Sequence, residues 1–274
     1  MQAMDILYML AILISAGAVA GILAGLLGVG GGVVLVPAFL IILHSVGYSG
    51  EFAMQIAVAT SLTTIIATSM RSVQAHWKRG AVDVSLLKRL IAPVAIGALS
   101  GMALAQVMES AHMMAVFGVL GTCVGLYMVL SPSVAREGAT LPRAPVTFAS
   151  ATVFGGLSAL MGIGGGSFFV PFLSYFGKST HQAVATSSGI GMLIAIPSAI
   201  GFMIVPTPVG APPLMLGQVN LGAVFIIACT TFVFAPLGAA LAHKLDSKKL
   251  KRVFGVFLIF TALRMLTKAI GALS

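Results

Sequence analysis

Residues 28–37 read Gly28-Val-Gly-Gly-Gly-Val-Val-Leu-Val-Pro37, and residues 162–171 read Gly162-Ile-Gly-Gly-Gly-Ser-Phe-Phe-Val-Pro171. Each glycine costs a helix about 1 kcal/mol relative to alanine, and a run of them removes the side chains that would keep a ligand away from backbone N–H groups. Each run introduces an apolar stretch of about ten residues, too short to cross a bilayer, which takes roughly 20. Two broken or re-entrant helices are predicted. One break holds Gly28, Gly30, Gly31 and Gly32, the other Gly162, Gly164, Gly165 and Gly166, with Pro37 and Pro171 expected to set the breaks.

Outward from the glycines the similarity continues. Ala57-Val-Ala-Thr-Ser61 matches Ala183-Val-Ala-Thr-Ser187. Further on, Gly80, Val82, Gly101, Leu104, Ala105 and residues 116–119 match Gly217, Val219, Gly238, Leu241, Ala242 and residues 253–256. Matches that keep one order identify an internal repeat. Apolar segments at residues 6–27, 33–43, 53–73, 86–107 and 113–130 are followed by five more at 145–161, 168–176, 183–205, 221–242 and 253–273. The polar, proline-rich link SPSVAREGATLPRAP at 131–145 separates the two sets. The expected fold class is all-α: a polytopic helical membrane protein with a first repeat over residues 1–135 and a second over 136–274.

Composition supports this. Of 274 residues 59% are hydrophobic and 8% charged, with a mean hydropathy of +1.10, whereas a soluble domain carries about 25% charged residues. The net charge of +9 comes from short basic tracts between apolar segments, which points to a lipid bilayer and away from nucleic acid. Cys123 and Cys229 lie in apolar segments without CxxC spacing and read as buried free thiols. Residues 1–10 contain Asp5 and no basic region, so they read as a first span or anchor rather than a cleaved leader.

Corresponding loops carry opposite charge. The loop with Arg71, Lys78, Arg79, Lys88 and Arg89 corresponds to residues 207–220, which contain no Lys or Arg. Residues 106–112 have none either, whereas their counterpart holds Lys244, Lys248, Lys249, Lys251 and Arg252. Under the positive-inside rule such loops lie on opposite sides, so the halves are expected to be inverted-topology repeats. Arg136, Arg143 and Lys178 fit this scheme. Both termini then fall outside, and Lys268 reaches the outer interface by snorkelling.

In inverted-repeat transporters the substrate sits between helix breaks, where half-helix N-termini offer N–H groups and a positive dipole end to an anion. Close helix packing is the alternative use of the glycines. A dinucleotide or P-loop site fails, because neither run is GxGxxG or is followed by Lys-Ser/Thr. Thr60, Ser61, Thr186 and Ser187, with Thr63, Thr64 and Ser188 beside them, offer hydroxyl donors to oxyanion oxygens, or back-bond to their own helices. Arg71, His76, His181 and Arg264 are candidate gating or charge-neutralising groups. Arg71 could instead be an end anchor, and Arg264 a snorkelling side chain. Gly17, Gly21 and Gly25 share a helix face at four-residue spacing, as do Gly97 with Gly101 and Gly121 with Gly125; these read as packing seams.

The paired GxGGGxxxVP clusters, the twin AVATS segments and the Gly80-Ala-Val-Asp83 loop resemble the TauE/SafE (sulfite exporter, TSUP) family of membrane transporters, over nearly the whole chain. The resemblance implies transport of small sulfur-containing anions such as sulfite or organosulfonates, and in some members of other small organic anions. Asn220 stands where the first half has Asp83, and Ser188-Gly189 where it has Leu62-Thr63.

The six acids, Asp5, Glu51, Asp83, Glu109, Glu137 and Asp246, fall near segment ends or in loops, leaving no mid-membrane carboxylate for a conventional proton relay. The sequence has no metal-ligand cluster, cofactor motif or nucleophile–base arrangement, so catalysis is not expected. The expected function is secondary transport, with export first, of a small anionic substrate held by glycine N–H groups and hydroxyls. Uptake of another small organic anion and a non-transporting accessory subunit are the alternatives, and a homodimer is left open.

Overall fold

A computed structural model describes residues 3–28, 30–48, 50–130, 140–242 and 247–273. The expected boundary between the halves, and the charges Arg136, Glu137, Lys244 and Asp246, lie outside the described residues, as do the side chains of Asp5, Lys248, Lys249 and Lys251. Five helices precede residue 131: α1 (Ala3–Leu27), α2 (Gly32–Ser45), α3 (Ala53–Trp77), α4 (Val84–Val107) and α5 (Ser110–Leu130). Five follow residue 139: α6 (Ala144–Met161), α7 (Gly166–Tyr175), α8 (Thr180–Ile204), α9 (Leu221–Ala242) and α10 (Ser247–Leu273). A two-residue hairpin, β1 (Met215–Leu216) with β2 (Val219–Asn220), leads into α9.

Eight of the helices are long and apolar enough to cross a membrane, while α2 and α7 have 14 and 10 residues. The chain is an integral, multi-pass membrane protein. Its burial is the reverse of a soluble domain's. Phe225, Val233, Val253 and Phe260 point outward, whereas Thr60, Ser61, Thr64, Thr68, Ser72, Thr186, Ser187 and Ser188 are buried. Lipid solvates apolar side chains and leaves polar groups to be satisfied internally.

The helices pair across the halves. The central pair is α3 with α8, flanked by α1 with α9, α4 with α6, and α5 with α10. Each peripheral pair closes on small residues. A Cβ at Gly25 would collide with the Ala235 carbonyl, one at Gly97 with the Thr152 carbonyl, and one at Gly121 would lie 2.9 Å from the Ala262 Cβ. The expected packing seams are therefore the contacts that bring these backbones together.

Several boundaries differ from the hydropathy reading because polar first turns are invisible to it. α4 starts two residues early, capped by Asp83, whose Oδ1 accepts from Leu86 N at 3.0 Å. α8 starts at Thr180, capped by Ser179 Oγ. The two cysteines are free but exposed on the outer faces of α5 and α9, contrary to the buried reading.

Candidate functional site

The chain breaks after α1 at Gly28, Gly30 and Gly31, which have φ of +66°, +74° and +81°, and after α6 at Gly162, with φ of +70°. Only glycine adopts these values without strain. Pro37 and Pro171, expected to set the breaks, lie inside α2 and α7 instead, and glycine geometry alone turns the chain.

The two breaks meet. A Cβ on Gly32 would collide with the Gly162 carbonyl, and one on Gly30 would lie 3.2 Å from Gly164 Cα. Each break also rests on the central helix of the other half: Gly28 on the Val184 carbonyl, and Gly162 on Val58, whose Cα would be 3.0 Å from an added Cβ. Ser61 Oγ donates to the Gly162 carbonyl at 2.8 Å. Thus Gly28, Gly30, Gly32, Ser61, Gly162 and Gly164 come together in the bundle interior, from elements far apart in sequence.

Neither short helix has a side-chain cap at its N-terminus, where Gly31 precedes α2 and Gly165 precedes α7. The first N–H groups of such a helix are unsatisfied and carry the positive end of its dipole. The surroundings differ. Beside the first break Ile65 fills the space, its Cγ2 being 3.0 Å from a Cβ placed on Gly30. Beside the second, the position matching Ile65 is Gly191, and an added Cβ there would lie 2.6 Å from Ser69 Oγ and 3.6 Å from Gly165 N. Gly165 packs on the Ser187 carbonyl and Gly191 N, at 3.0 and 3.1 Å from an added Cβ. Among the described residues the buried hydroxyls of Ser69 and Ser187 have no hydrogen-bond partner. The α7 N-terminus therefore lies beside the unpartnered Ser69 hydroxyl and the gap left by a glycine, with the equally unpartnered Ser167 hydroxyl in its own first turn. Ser69 was missed in sequence, because it lies outside the AVATS repeat.

Thr60 and Thr186 were expected to donate to a ligand or bond their own helices. Their oxygens accept from backbone N–H groups of the opposite half, Asn220 N to Thr60 and Asp83 N to Thr186, both 3.1 Å, a role the sequence reading did not include. Asn220 also caps α9, its Oδ1 accepting from Ala223 N at 2.9 Å, so the replacement of the acid retains the cap and loses only the charge.

His76 is buried, and its Nε2 lies 3.1 Å from the Gly25 carbonyl, with Ser72 Oγ 3.3 Å from the Ala24 carbonyl and 2.9 Å from Ser188 Oγ. These carbonyls belong to the last turn of α1, just before the break; that of Ala24 also accepts from Gly28 N at 2.9 Å. Thr64, Thr68, Ser72 and His76 recur every four residues, a signal that could have revealed this polar stripe. Arg71 lies on another side of α3, His181 is exposed at the start of α8, and Arg264 is exposed on α10. Arg264 thus faces away from the interior it was expected to neutralise.

Two regions flank the centre. At the Thr60 level a cavity of about 310 Å³ is lined by Leu13, Phe39, Tyr48, Thr60 and Asn220 among others. At the Thr186 level Lys178 Nζ binds Asp83 Oδ2 at 2.7 Å. Tyr48 and Lys178 hold equivalent places: Tyr48 N bonds the Leu43 carbonyl after α2, and Lys178 N the Leu173 carbonyl after α7. One side is open where the equivalent side is bridged by an ion pair.

Comparison with known proteins agrees with this architecture. The family model described as "Sulfite exporter TauE/SafE" matches residues 13–265. A "Probable membrane transporter protein" of Haemophilus influenzae is 35% identical over 92% of this chain and 96% of its own length. Similar proteins occur in Bacillus subtilis, "Probable membrane transporter protein YunE", 26% identical over 94% of this chain and 98% of that one, and in Xylella fastidiosa, "Probable membrane transporter protein", 27% identical over 96% and 97%. No solved structure matches the chain significantly.

Proposed function

We propose that this chain, a membrane transporter that belongs to the sulfite exporter TauE/SafE family, exports a small sulfur-containing oxyanion such as sulfite or an organosulfonate. It does so across the bacterial cytoplasmic membrane, by alternating access between two inverted repeats. The observation that carries the reading is the uncapped N-terminus of α7, with the unpartnered Ser69 hydroxyl beside Gly165 and Gly191 and the buried Ser187 hydroxyl, also without a partner among the described residues, on the adjoining turn of α8. N–H groups, a helix dipole and hydroxyl donors recognise an oxyanion without a fixed cation.

Pairing of the helices across the halves supports the repeat, and opposite charge on corresponding loops supports its inversion. The open cavity at Thr60 and the bridged Asp83–Lys178 side give the two ends of an access cycle different occupancy in one state. By the positive-inside rule the open side is external. Export needs little coupling machinery, since an inside-negative potential favours a leaving anion by about 2.3 kcal/mol per charge per 100 mV.

A second reading, uptake of another small organic anion, is favoured by the cavity itself. Its Leu13, Phe39 and Tyr48 lining suits a carbon skeleton better than a bare inorganic ion. Proteoliposomes loaded with sulfite, alkylsulfonates or small carboxylates, under a clamped potential, separate the two. Saturable efflux of the sulfur oxyanions that rises with inside-negative potential supports export. Indifference to all of them overturns the anion-transporter reading.

A further inference from the structure

We propose that a groove between the last turns of α3 and the C-terminal half of α9 binds the phosphate of an anionic phospholipid from the cytoplasmic leaflet. The groove, about 470 Å³, is lined by Arg71, Gln74, Trp77, Lys78, Arg79 and Pro236 among others, and no acid is among the described residues lining it. Arg71 stands six residues before the end of α3, so it sits about 9 Å inside the span at 1.5 Å per residue. A cation at that depth calls for a partner. Among the described residues Arg71 has no carboxylate partner: its guanidinium lies 3.9 Å over the Phe232 ring, Nη1 reaches Gln74 Oε1 at 3.4 Å, and the buried Nε is unpartnered.

The opening faces lipid rather than the glycine centre. Phe232 and Trp77 are 45% and 57% exposed, whereas Ser69, Ser72 and His76, on the inward side of the same helix, are buried. Exposed tryptophan marks the headgroup level. Arg79 is partly committed, donating from Nη1 to the Ala239 carbonyl near the end of α9 at 2.8 Å, which ties the far wall of the groove to α3. Arg71 and Lys78 remain to meet a phosphate, with the acyl chains running along Phe232. The end of the bundle carrying Arg71, Lys78 and Arg79 is the one the positive-inside rule places in the cytoplasm, where anionic lipid attracts basic segments.

The test uses the full chain in detergent, with thermal unfolding and native mass spectrometry read as phosphatidylglycerol, phosphatidylcholine or inorganic phosphate is added. Phosphatidylglycerol should raise the melting temperature and remain bound, while the other two should do neither. Arg71→Gln should weaken apparent phosphatidylglycerol affinity at least five-fold, and Lys78→Gln, at an exposed position that does not threaten folding, at least two-fold. Lys88→Gln, outside the groove, should leave it unchanged. An equal shift from inorganic phosphate would make this a free-anion site and overturn the proposal. So would undiminished phosphatidylglycerol binding in Lys78→Gln and in the double variant with Arg71→Gln.

Discussion

The backbone N–H of Asn220 donates to Thr60 Oγ1 over 3.1 Å, fastening the loop before α9 to the central helix of the other half. The same bond, at the same length, joins Asp83 to Thr186. The threonines of the twin AVATS segments are thus cross-braces. Thr60→Val and Thr186→Val keep the shape and leave a backbone donor unpaired, which costs about 1–3 kcal/mol. Each should lower the melting temperature in detergent, and Thr60→Ser or Thr186→Ser should restore most of it. A neutral valine at both positions would show the braces to be incidental.

Gly32 admits no side chain because the Gly162 carbonyl occupies the place of its Cβ. Gly32→Ala should therefore push the two breaks apart and abolish flux even if the protein still inserts. Gly271, near the end of α10, has open space where a Cβ would go, so Gly271→Ala should preserve flux and gain up to about 1 kcal/mol from helix propensity. Proteoliposome flux and thermal unfolding of the two variants side by side check the contrast.

The ammonium of Lys178 holds the Asp83 carboxyl at a pKa of about 2, with help from the Leu86 N–H and the Ser85 hydroxyl and against partial burial. Because the folded value lies below the unfolded one, this contribution to stability is complete above about pH 4. It is lost only as pH falls toward 2. Between pH 5 and 8 the bridge stays intact, so the ratio of Asp83→Asn flux to wild-type flux should be constant over that range. Asp83→Asn retains the α4 cap, as Asn220 does for α9. Since both partners are partly exposed, its stability loss should be within about 1 kcal/mol. A flux ratio that bends near neutral pH would assign the titration to another group.

The exposed thiols make a further check. Cys123 and Cys229 face outward from α5 and α9 within the span, where lipid shields them, so a membrane-impermeant maleimide should label neither in intact vesicles and both only after denaturation. Cys229→Ser should transport at the wild-type rate, since that thiol is exposed on the outer face of α9, whereas Cys123 borders a cavity with Ser167 and Pro171 of α7.

Membrane class and helix breaks were legible because 20-residue apolar segments and glycine runs are local signals. Facing was legible in principle. The buried stripe of α10 runs Phe254, Leu258, Ala262, Met265 and Ala269 at spacings of three and four, and Arg264 lies off it. Cys123 likewise lies off the α5 stripe of Met113, Phe117, Gly121, Gly125 and Met128. Hydropathy averaged over a segment gives depth and discards that angle. Pairings such as Lys178 with Asp83, or Ser61 with Gly162, were not legible. They depend on how the halves dock, and no single helix records that.

Ser61 and Ser187 occupy matching places in the repeat, yet only Ser61 is bonded, to the Gly162 carbonyl at 2.8 Å. Ser187 is buried without a partner among the described residues. The two should therefore fail differently. Ser61→Ala removes a buried bond between the halves and should cost about 1–2 kcal/mol of stability, with flux falling only as folded protein falls. Ser187→Ala removes a donor that the protein itself leaves unused, so its melting temperature should hold. Its apparent KM for the transported anion should rise about ten- to hundred-fold, the loss expected when a hydrogen bond worth about 1.5–3 kcal/mol to a charged ligand disappears. Ser69→Ala should behave like Ser187→Ala. If the unbonded serines affected only stability and the bonded one only KM, the anion would have to lie at the first break, beside Ile65, rather than at the N-terminus of α7.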